Sequence, residues 1–171
     1  MNSKKIALYA LVIGAYTALS LVLGTFSFGV IQVRIAEVLV LLCLIKLEYT
    51  LPLTVACLIT NIIGILMGIN FPLDFIFGTL ATLLSCLLAY HFRNVLWYRK
   101  PVLSLLMPCI VNAIIIGWEI MFYTASSAEQ LSVFIASALS VFAGEFISCV
   151  VLGVILYEPF LGAYKRLMGD E

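Results

Sequence analysis

The sequence predicts an all-α integral membrane protein with six transmembrane helices. Of its 171 residues, 64% are hydrophobic and 11% are charged, and the mean hydropathy is +1.21. Globular domains are usually about 45–50% apolar and about 25% charged. The apolar residues fall into runs separated by short polar segments, and a helix needs roughly 20 apolar residues to cross a bilayer. We therefore expect one transmembrane domain over residues 1–171, embedded in lipid.

Two lysines precede the first apolar run, an arrangement that resembles a signal peptide. The run is longer than the usual hydrophobic region of about 7–15 residues, so an uncleaved first span is expected. The second run is apolar but short, and the third begins beside a proline that suits a first helical turn. These three spans are predicted at Ile6–Leu23, Val33–Leu47 and Leu51–Gly68.

A turn at residues 70–72 precedes the fourth run, which begins at Asp74, a residue type suited to a helix N-cap. Polar segments at 93–101 and 124–130 separate the runs that follow. The last three spans are predicted at Asp74–Phe92, Val102–Tyr123 and Leu131–Tyr157.

Cationic residues predict the orientation, because short cytoplasmic loops are enriched in Lys and Arg. With both termini in the cytoplasm, eight of the nine Lys and Arg residues lie inside and Arg34 alone lies outside. An odd number of spans would divide this bias between the two sides. The inside group is Lys4, Lys5, Lys46, Arg93, Arg99, Lys100, Lys165 and Arg166.

Several function classes lack their sequence signals. No Lys/Arg cluster suggests nucleic-acid binding, and no phosphate-binding loop, HExxH or GxSxG motif suggests an ATPase or an intramembrane enzyme. The five cysteines all lie in apolar runs without a CxxC pair, so they are read as small packing residues, and no metal or cofactor is expected. His91 is either an interfacial residue or a proton carrier.

Acidic residues in the spans are the main candidates for function. Inserting a carboxyl group into hydrocarbon costs about 2.5–3.5 kcal/mol, so such residues should face the bundle interior. Arg34 and Glu37 are three residues apart and can pair on a helix, either to hold a loop against a helix top or to line a site. The four acidic residues in question are Glu37, Asp74, Glu119 and Glu145.

The fifth span carries the most informative face. Asn112, Ile116, Glu119 and Tyr123 share it, and Trp118 is next to Glu119. An amide, a carboxylate and aromatic rings suit a flat ligand that forms hydrogen bonds and stacks. An interfacial aromatic belt would explain the two aromatic residues but not the amide and the carboxylate.

A stripe of small residues runs along the first span, where such stripes let helices approach closely. Packing inside the bundle and docking of another membrane subunit both explain it. The stripe consists of Ala7, Ala10, Gly14 and Ala18.

Three segments together resemble the QueT family, whose members look like substrate-binding S components of energy-coupling factor (ECF) transporters. They are Gln32–Glu37 (QVRIAE), Asn61 with Gly64, and Asp74–Thr82 (DFIFGTLAT). The resemblance covers nearly the whole chain and implies an S-component-like bundle in a bacterial plasma membrane.

The resemblance also implies partners and a solute. Such proteins bind a vitamin-like solute from outside and dock on a transmembrane T subunit driven by two ATPase subunits. The small-residue stripe is similar to the motif that contacts the T subunit, with Gly14 in place of an alanine. The implied solutes are queuosine precursors, which are 7-deazaguanines such as the aminomethyl form, or queuine.

Our hypothesis is that Glu119 or Glu145 reads the guanine-like edge of the solute, with Asn112 assisting and Trp118 or Tyr123 stacking on the ring. A second carboxylate would suit the cationic aminomethyl arm, and Arg34 with Glu37 would hold the first outer loop as a lid. The other candidate contacts are Gln32, Asn61, Asn70 and Asp74.

The sequence also allows other functions. One is an S component for another vitamin-like solute. Another is a partner-independent, proton-coupled carrier in which Glu119 and Glu145 titrate. An intramembrane enzyme is disfavoured because the sequence shows no pair of nucleophile and base. A membrane scaffold would leave the acidic residues in the spans unexplained.

Overall fold

The computed structural model describes residues 3–22 and 34–168, and this part of the chain is helical with no β-strand. A short 3-10 helix, Ile35–Val40, leads into α2, and another, Leu47–Tyr49, leads into α3. A π-helical segment, Phe146–Val151, joins the last two helices. The α-helices are α1 (Ser3–Val22), α2 (Leu41–Ile45), α3 (Thr50–Leu66), α4 (Asp74–His91), α5 (Val102–Thr124), α6 (Gln130–Glu145) and α7 (Leu152–Met168).

Five helical segments of the described chain are long and apolar enough to cross a membrane. The prediction of an all-helical membrane bundle is therefore confirmed, with five segments of spanning length where six were expected. They are Ser3–Val22, Leu47–Leu66, Asp74–His91, Val102–Thr124 and Gln130–Arg166.

The second predicted span, Val33–Leu47, is too short to cross a membrane. Its described part is the apolar helix Ile35–Ile45, more than half of which is 3-10 helix. A 3-10 helix rises about 2.0 Å and an α-helix 1.5 Å per residue, so the segment covers only about 20 Å of a core about 30 Å thick. Arg34, at its start, consequently lies inside the bundle, where it is 6% exposed.

The last helical segment is longer than predicted. Helix α7 continues through Pro159 to Met168, whereas the sequence suggested an end at Tyr157. The 37 residues of Gln130–Arg166 span about 55 Å at 1.5 Å per residue. This exceeds a hydrocarbon core of about 30 Å, so part of the segment extends beyond it.

Polar contacts hold the first and the last helix of the described chain on the same side of the bundle. Lys5 of α1 pairs with Glu48, and Lys100 pairs with Glu158 of α7 at 3.2 Å. The hydroxyl groups of Tyr49 and Tyr164 lie 3.4 Å apart in the same region. The two ends of the described chain thus lie on the same side of the bundle, and the cytoplasmic location of that side stays a prediction.

The small-residue stripe of α1 faces outward. The buried side of the helix is formed by Val12, Tyr16 and Ser20, and α1 packs with it against α3. A Cβ atom added at Gly14 would meet nothing within 4 Å. Packing within the described bundle therefore does not explain the stripe, whose four residues Ala7, Ala10, Gly14 and Ala18 are all exposed.

The five cysteines are buried and free, as expected of small packing residues. They lie in the bundle with large apolar and aromatic side chains, including Tyr16, Leu53 and Leu105. The cysteines thus belong to the apolar core of the described bundle.

Gly117 allows α5 and α6 to approach closely, because a Cβ atom there would lie 3.0 Å from the Cα atom of Ala138. We expect Gly117→Ala to reduce the free energy of unfolding by about 1–3 kcal/mol, since the backbone of α6 must move. Thermal unfolding of the detergent-solubilised protein measures this. Gly14→Ala, made in open space, should cost nothing, and equal stability of the two variants would contradict the close approach.

Candidate functional site

A polar cavity of about 150 Å³ lies at the end of the bundle opposite the chain termini. It is enclosed by the segment before α4, the first turn of α4 and the second half of α5. A cavity of about 150 Å³ accommodates benzene in an engineered protein, so this one suits a small ring compound. Its lining residues are Arg34, Ile69, Asn70, Phe71, Asp74, Ile116, Glu119 and Ile120.

Two carboxyl groups face each other in this cavity. Asp74 begins α4 and Glu119 lies on the buried face of α5, close enough for each to act electrostatically on the other. Glu119 is 1% exposed, and no nitrogen or hydroxyl group of the described residues donates a hydrogen bond to it. Its carboxyl group lies within hydrogen-bond reach of the Asp74 carboxyl group. Two acidic groups this close are most stable when they share a proton or when a donor lies between them.

A network of amides holds Asp74 in place. Asn70 donates from Nδ2 to Asp74 Oδ2 at 2.5 Å, and Asn61 donates from Nδ2 to the Asp74 carbonyl at 3.0 Å. Gly78 makes room for this network, because a Cβ atom there would lie 2.5 Å from Asn61 Nδ2. The Oδ1 atom of Asn70 is buried, has no partner among the described residues and lies against Gly64, where a Cβ atom would be 2.7 Å from it.

Arg34 connects the cavity to a buried carboxylate behind it. Its Nη2 lies 3.8 Å from Glu37 Oε1 and 3.6 Å from Cys57 Sγ. Glu37 also accepts hydrogen bonds from the hydroxyl groups of Tyr16, at 2.6 Å, and Thr82, at 3.4 Å. Glu37 is thus satisfied by the protein, and it does not line the cavity.

Glu145 occupies a separate, deeper position. It accepts a hydrogen bond from Asn112 Nδ2 at 2.9 Å and contacts Cys149 Sγ at 3.4 Å. It ends α6 where the π-helical segment begins, and such segments are frequent at functional sites. The structure therefore separates Glu145 and Asn112 from the cavity that Glu119 lines, although the sequence placed all three in one site.

The aromatic residues are arranged differently from the prediction. Trp118 is 43% exposed and packs against Phe77 and Phe122 on the outside of the bundle. It does not line this cavity, and its stacking on a ligand stays a prediction. The Tyr123 ring stacks on Phe71 with centroids 4.8 Å apart and planes inclined by 2°. Phe71 itself lines the cavity. The sequence predicts the segment around Phe71 as a turn, and the position of Phe71 just before Asp74 is the signal that links it to the cavity.

Of the remaining candidates, Asn61 supports the cavity wall and Arg34, Asn70 and Asp74 line it. Gln32 lies outside the described residues, and so does the loop that Arg34 and Glu37 were expected to hold as a lid. In residues 3–22 and 34–168, no group of three His, Cys, Asp or Glu side chains is arranged to hold a metal ion.

The bond between Tyr16 and Glu37 gives a test of the buried network. Tyr16→Phe removes one donor from a buried carboxylate, leaves the ring in place and leaves Arg34 and Thr82 as partners of Glu37, so we expect a loss of about 0.5–2 kcal/mol in unfolding free energy. The exposed Tyr98 offers a matched control, and Tyr98→Phe should change stability very little. Equal melting temperatures of Tyr16→Phe and the wild type would show that the hydroxyl contributes nothing.

The comparisons with known proteins agree with this architecture. The QueT transporter family matches residues 6–160, which include every described residue of the cavity wall. No curated protein and no solved structure matches the chain. Because the family match spans most of the sequence, the chain belongs to the QueT transporter family, and it is a membrane protein.

Proposed function

We propose that the chain is the S component of an ECF-type importer in a bacterial plasma membrane. In this proposal it binds a queuosine precursor from outside, a 7-deazaguanine such as the aminomethyl form or queuine, and partner subunits drive uptake with ATP. The observation that carries the proposal is the polar cavity of about 150 Å³ in a member of the QueT transporter family.

The chemistry of the cavity wall supports this solute class. A 7-deazaguanine presents N–H donors beside a carbonyl acceptor on a flat ring. The wall offers a guanidinium donor at Arg34, acceptors at Asn70, Asp74 and Glu119, and an aromatic face at Phe71. Stacking of a base on an aromatic ring contributes about 1–3 kcal/mol where it has been measured.

The outward stripe of α1 supports the proposal of partner subunits. The chain has no phosphate-binding loop motif, so ATP-driven uptake requires ATPase subunits on other chains. Four small residues on one exposed helix face allow a second membrane helix to approach closely. We assign this face, Ala7, Ala10, Gly14 and Ala18, to the T subunit.

Ligand binding by the purified chain is the primary test. We expect queuine and 7-aminomethyl-7-deazaguanine to bind in isothermal titration calorimetry without any partner, whereas guanine and riboflavin bind far more weakly. Glu119→Ala should weaken binding by at least about tenfold, the loss expected for one charge-assisted hydrogen bond.

Trp118→Ala is the matched control, since it truncates the neighbouring residue on the outer surface and should leave affinity unchanged. Failure of all four compounds to bind would overturn the proposed solute class. Uptake by liposomes that contain only this chain, driven by a proton gradient, would instead favour a self-sufficient carrier.

Docking of the T subunit on the small-residue stripe of α1 can be tested separately. Gly14→Trp places a large ring in the open space along α1, so we expect loss of T-subunit co-purification with ligand affinity retained. Ala143→Trp makes the same change on an exposed position of α6 and should co-purify normally. Retention of the T subunit by Gly14→Trp would show that the stripe is not its docking face.

A further inference from the structure

We propose that the turn between α4 and α5, residues 92–101, is a membrane-surface contact that selects anionic phospholipid headgroups. Trp97 and Tyr98 at its tip place their rings among the headgroups, and Arg99 pairs with the net negative charge of an anionic headgroup. The turn lies at the end of the bundle opposite the polar cavity, because it precedes α5 and the cavity lies beside the second half of that helix. The inference is therefore independent of the proposed solute.

The tip of this turn exposes an apolar surface outside the helices. Val95, Leu96, Trp97 and Tyr98 are four consecutive large apolar or aromatic residues, and each is more than half exposed, with Trp97 at 67% and Tyr98 at 86%. A run of this kind facing water favours aggregation unless it has a partner. The run therefore needs a surface that accepts apolar rings.

The helices on either side place the turn at the membrane boundary. Helix α4 ends at His91 and α5 begins at Val102, and both are long and apolar enough to cross a membrane. The 18 residues of α4 rise about 27 Å, close to the thickness of a hydrocarbon core of about 30 Å. The turn consequently meets the headgroup region, where tryptophan and tyrosine are enriched.

The backbone of the tip adopts a conformation that its residues disfavour. The peptide groups of Trp97 and Lys100 exchange two hydrogen bonds, with nitrogen–oxygen distances of 2.9 and 3.0 Å. The two residues between them, Tyr98 and Arg99, have φ angles of 47° and 65°. Asn and Gly are the usual residues of such a two-residue loop, because most other side chains are strained at positive φ. A tyrosine and an arginine kept there point to a role for the side chains themselves.

Arg99 is the cation of the turn that is free for a lipid. Arg93 donates from Nη1 to the Tyr90 carbonyl at 2.9 Å and stacks on the Tyr90 ring. Lys100 pairs with Glu158 at 3.2 Å. Arg99 is exposed and forms no ion pair with any described residue. Each cation near an anionic membrane surface strengthens the attraction about fivefold, so this guanidinium beside two interfacial rings fits an anionic headgroup.

The first measurement locates Trp97 relative to the lipid. The full chain carrying Trp118→Phe retains Trp97 as its only tryptophan, since the sequence has two. It is reconstituted in phosphatidylcholine vesicles that contain lipids brominated either beside the headgroup or at the ends of the acyl chains. We expect at least about twofold stronger quenching by the first lipid, because an interfacial ring lies near the headgroups. Fluorescence that neither lipid quenches, together with free access of aqueous acrylamide, overturns the membrane contact and favours a soluble partner chain.

The second measurement tests selection of the headgroup charge. Energy transfer from Trp97 is compared for phosphatidylglycerol and phosphatidylcholine, each added in trace amount with the same dansyl label on the acyl chain. We expect phosphatidylglycerol to be enriched about two- to fivefold near the turn, the effect of one arginine. Arg99→Gln should abolish the enrichment, and so should salt at about 1 M, which reduces the screening length to about 3 Å.

Arg166→Gln is the matched control for charge. Arg166 is an exposed cation in the last turn of α7, so its removal changes the net charge by the same amount and leaves the α4–α5 turn intact. Enrichment should stay at the wild-type value in this variant. An equal loss in Arg99→Gln and Arg166→Gln overturns the role of the turn, because the preference would then belong to the overall charge.

A paired substitution separates a structural role of the tip from the lipid contact. Tyr98→Asn with Arg99→Gly supplies the residue types that this two-residue loop favours, so the turn should persist and the melting temperature should not fall. We expect the enrichment of phosphatidylglycerol to disappear although the turn is retained. Enrichment at the wild-type value in this variant, or in Arg99→Gln, overturns the proposal.

Discussion

The buried guanidinium of Arg34 is the constraint on which the site depends. It is 6% exposed, and the carboxyl groups of Glu37, Asp74, Glu119 and Glu145 all interact with it. A cation inside a membrane bundle is stable only with such partners. The short 3-10 helix that follows Arg34 is what keeps it there, because a helix of full spanning length would carry its first residue to the edge of the bilayer.

Features that depend on helical periodicity were predictable from the sequence. The face of α5 shared by Asn112, Ile116 and Glu119 is buried. The stripe of α1 that includes Gly14 is exposed on the outside of the bundle. Both follow from the 100° turn per residue, which is a local property of the chain. The pairing of Arg34 with Glu37 was predictable for the same reason, although the segment is not a regular α-helix.

Features that depend on how helices meet were not predictable. Hydropathy counts apolar residues and does not measure rise, so it could not reveal that the second segment is too short to span. The side chains of Glu119 and Glu145 lie on different helices, and only their packing decides that the first reaches the cavity and the second pairs with Asn112. Trp118 is one residue from Glu119, yet that one step turns its ring to the outside.

The carboxyl groups inside the bundle differ in the partners that the protein gives them. Glu37 and Glu145 each have a donor within 2.9 Å, so any ligand that bound them would first have to displace an internal hydrogen bond. Glu119 receives no hydrogen bond from a nitrogen or hydroxyl group of the described residues, and its side-chain partner is the acidic group of Asp74. Of Glu37, Glu119 and Glu145, Glu119 is the one that lines the cavity and the one without a nitrogen or hydroxyl donor among the described residues. The packing of α4 against α5, which brings Asp74 to Glu119, therefore decides the chemistry of the cavity wall.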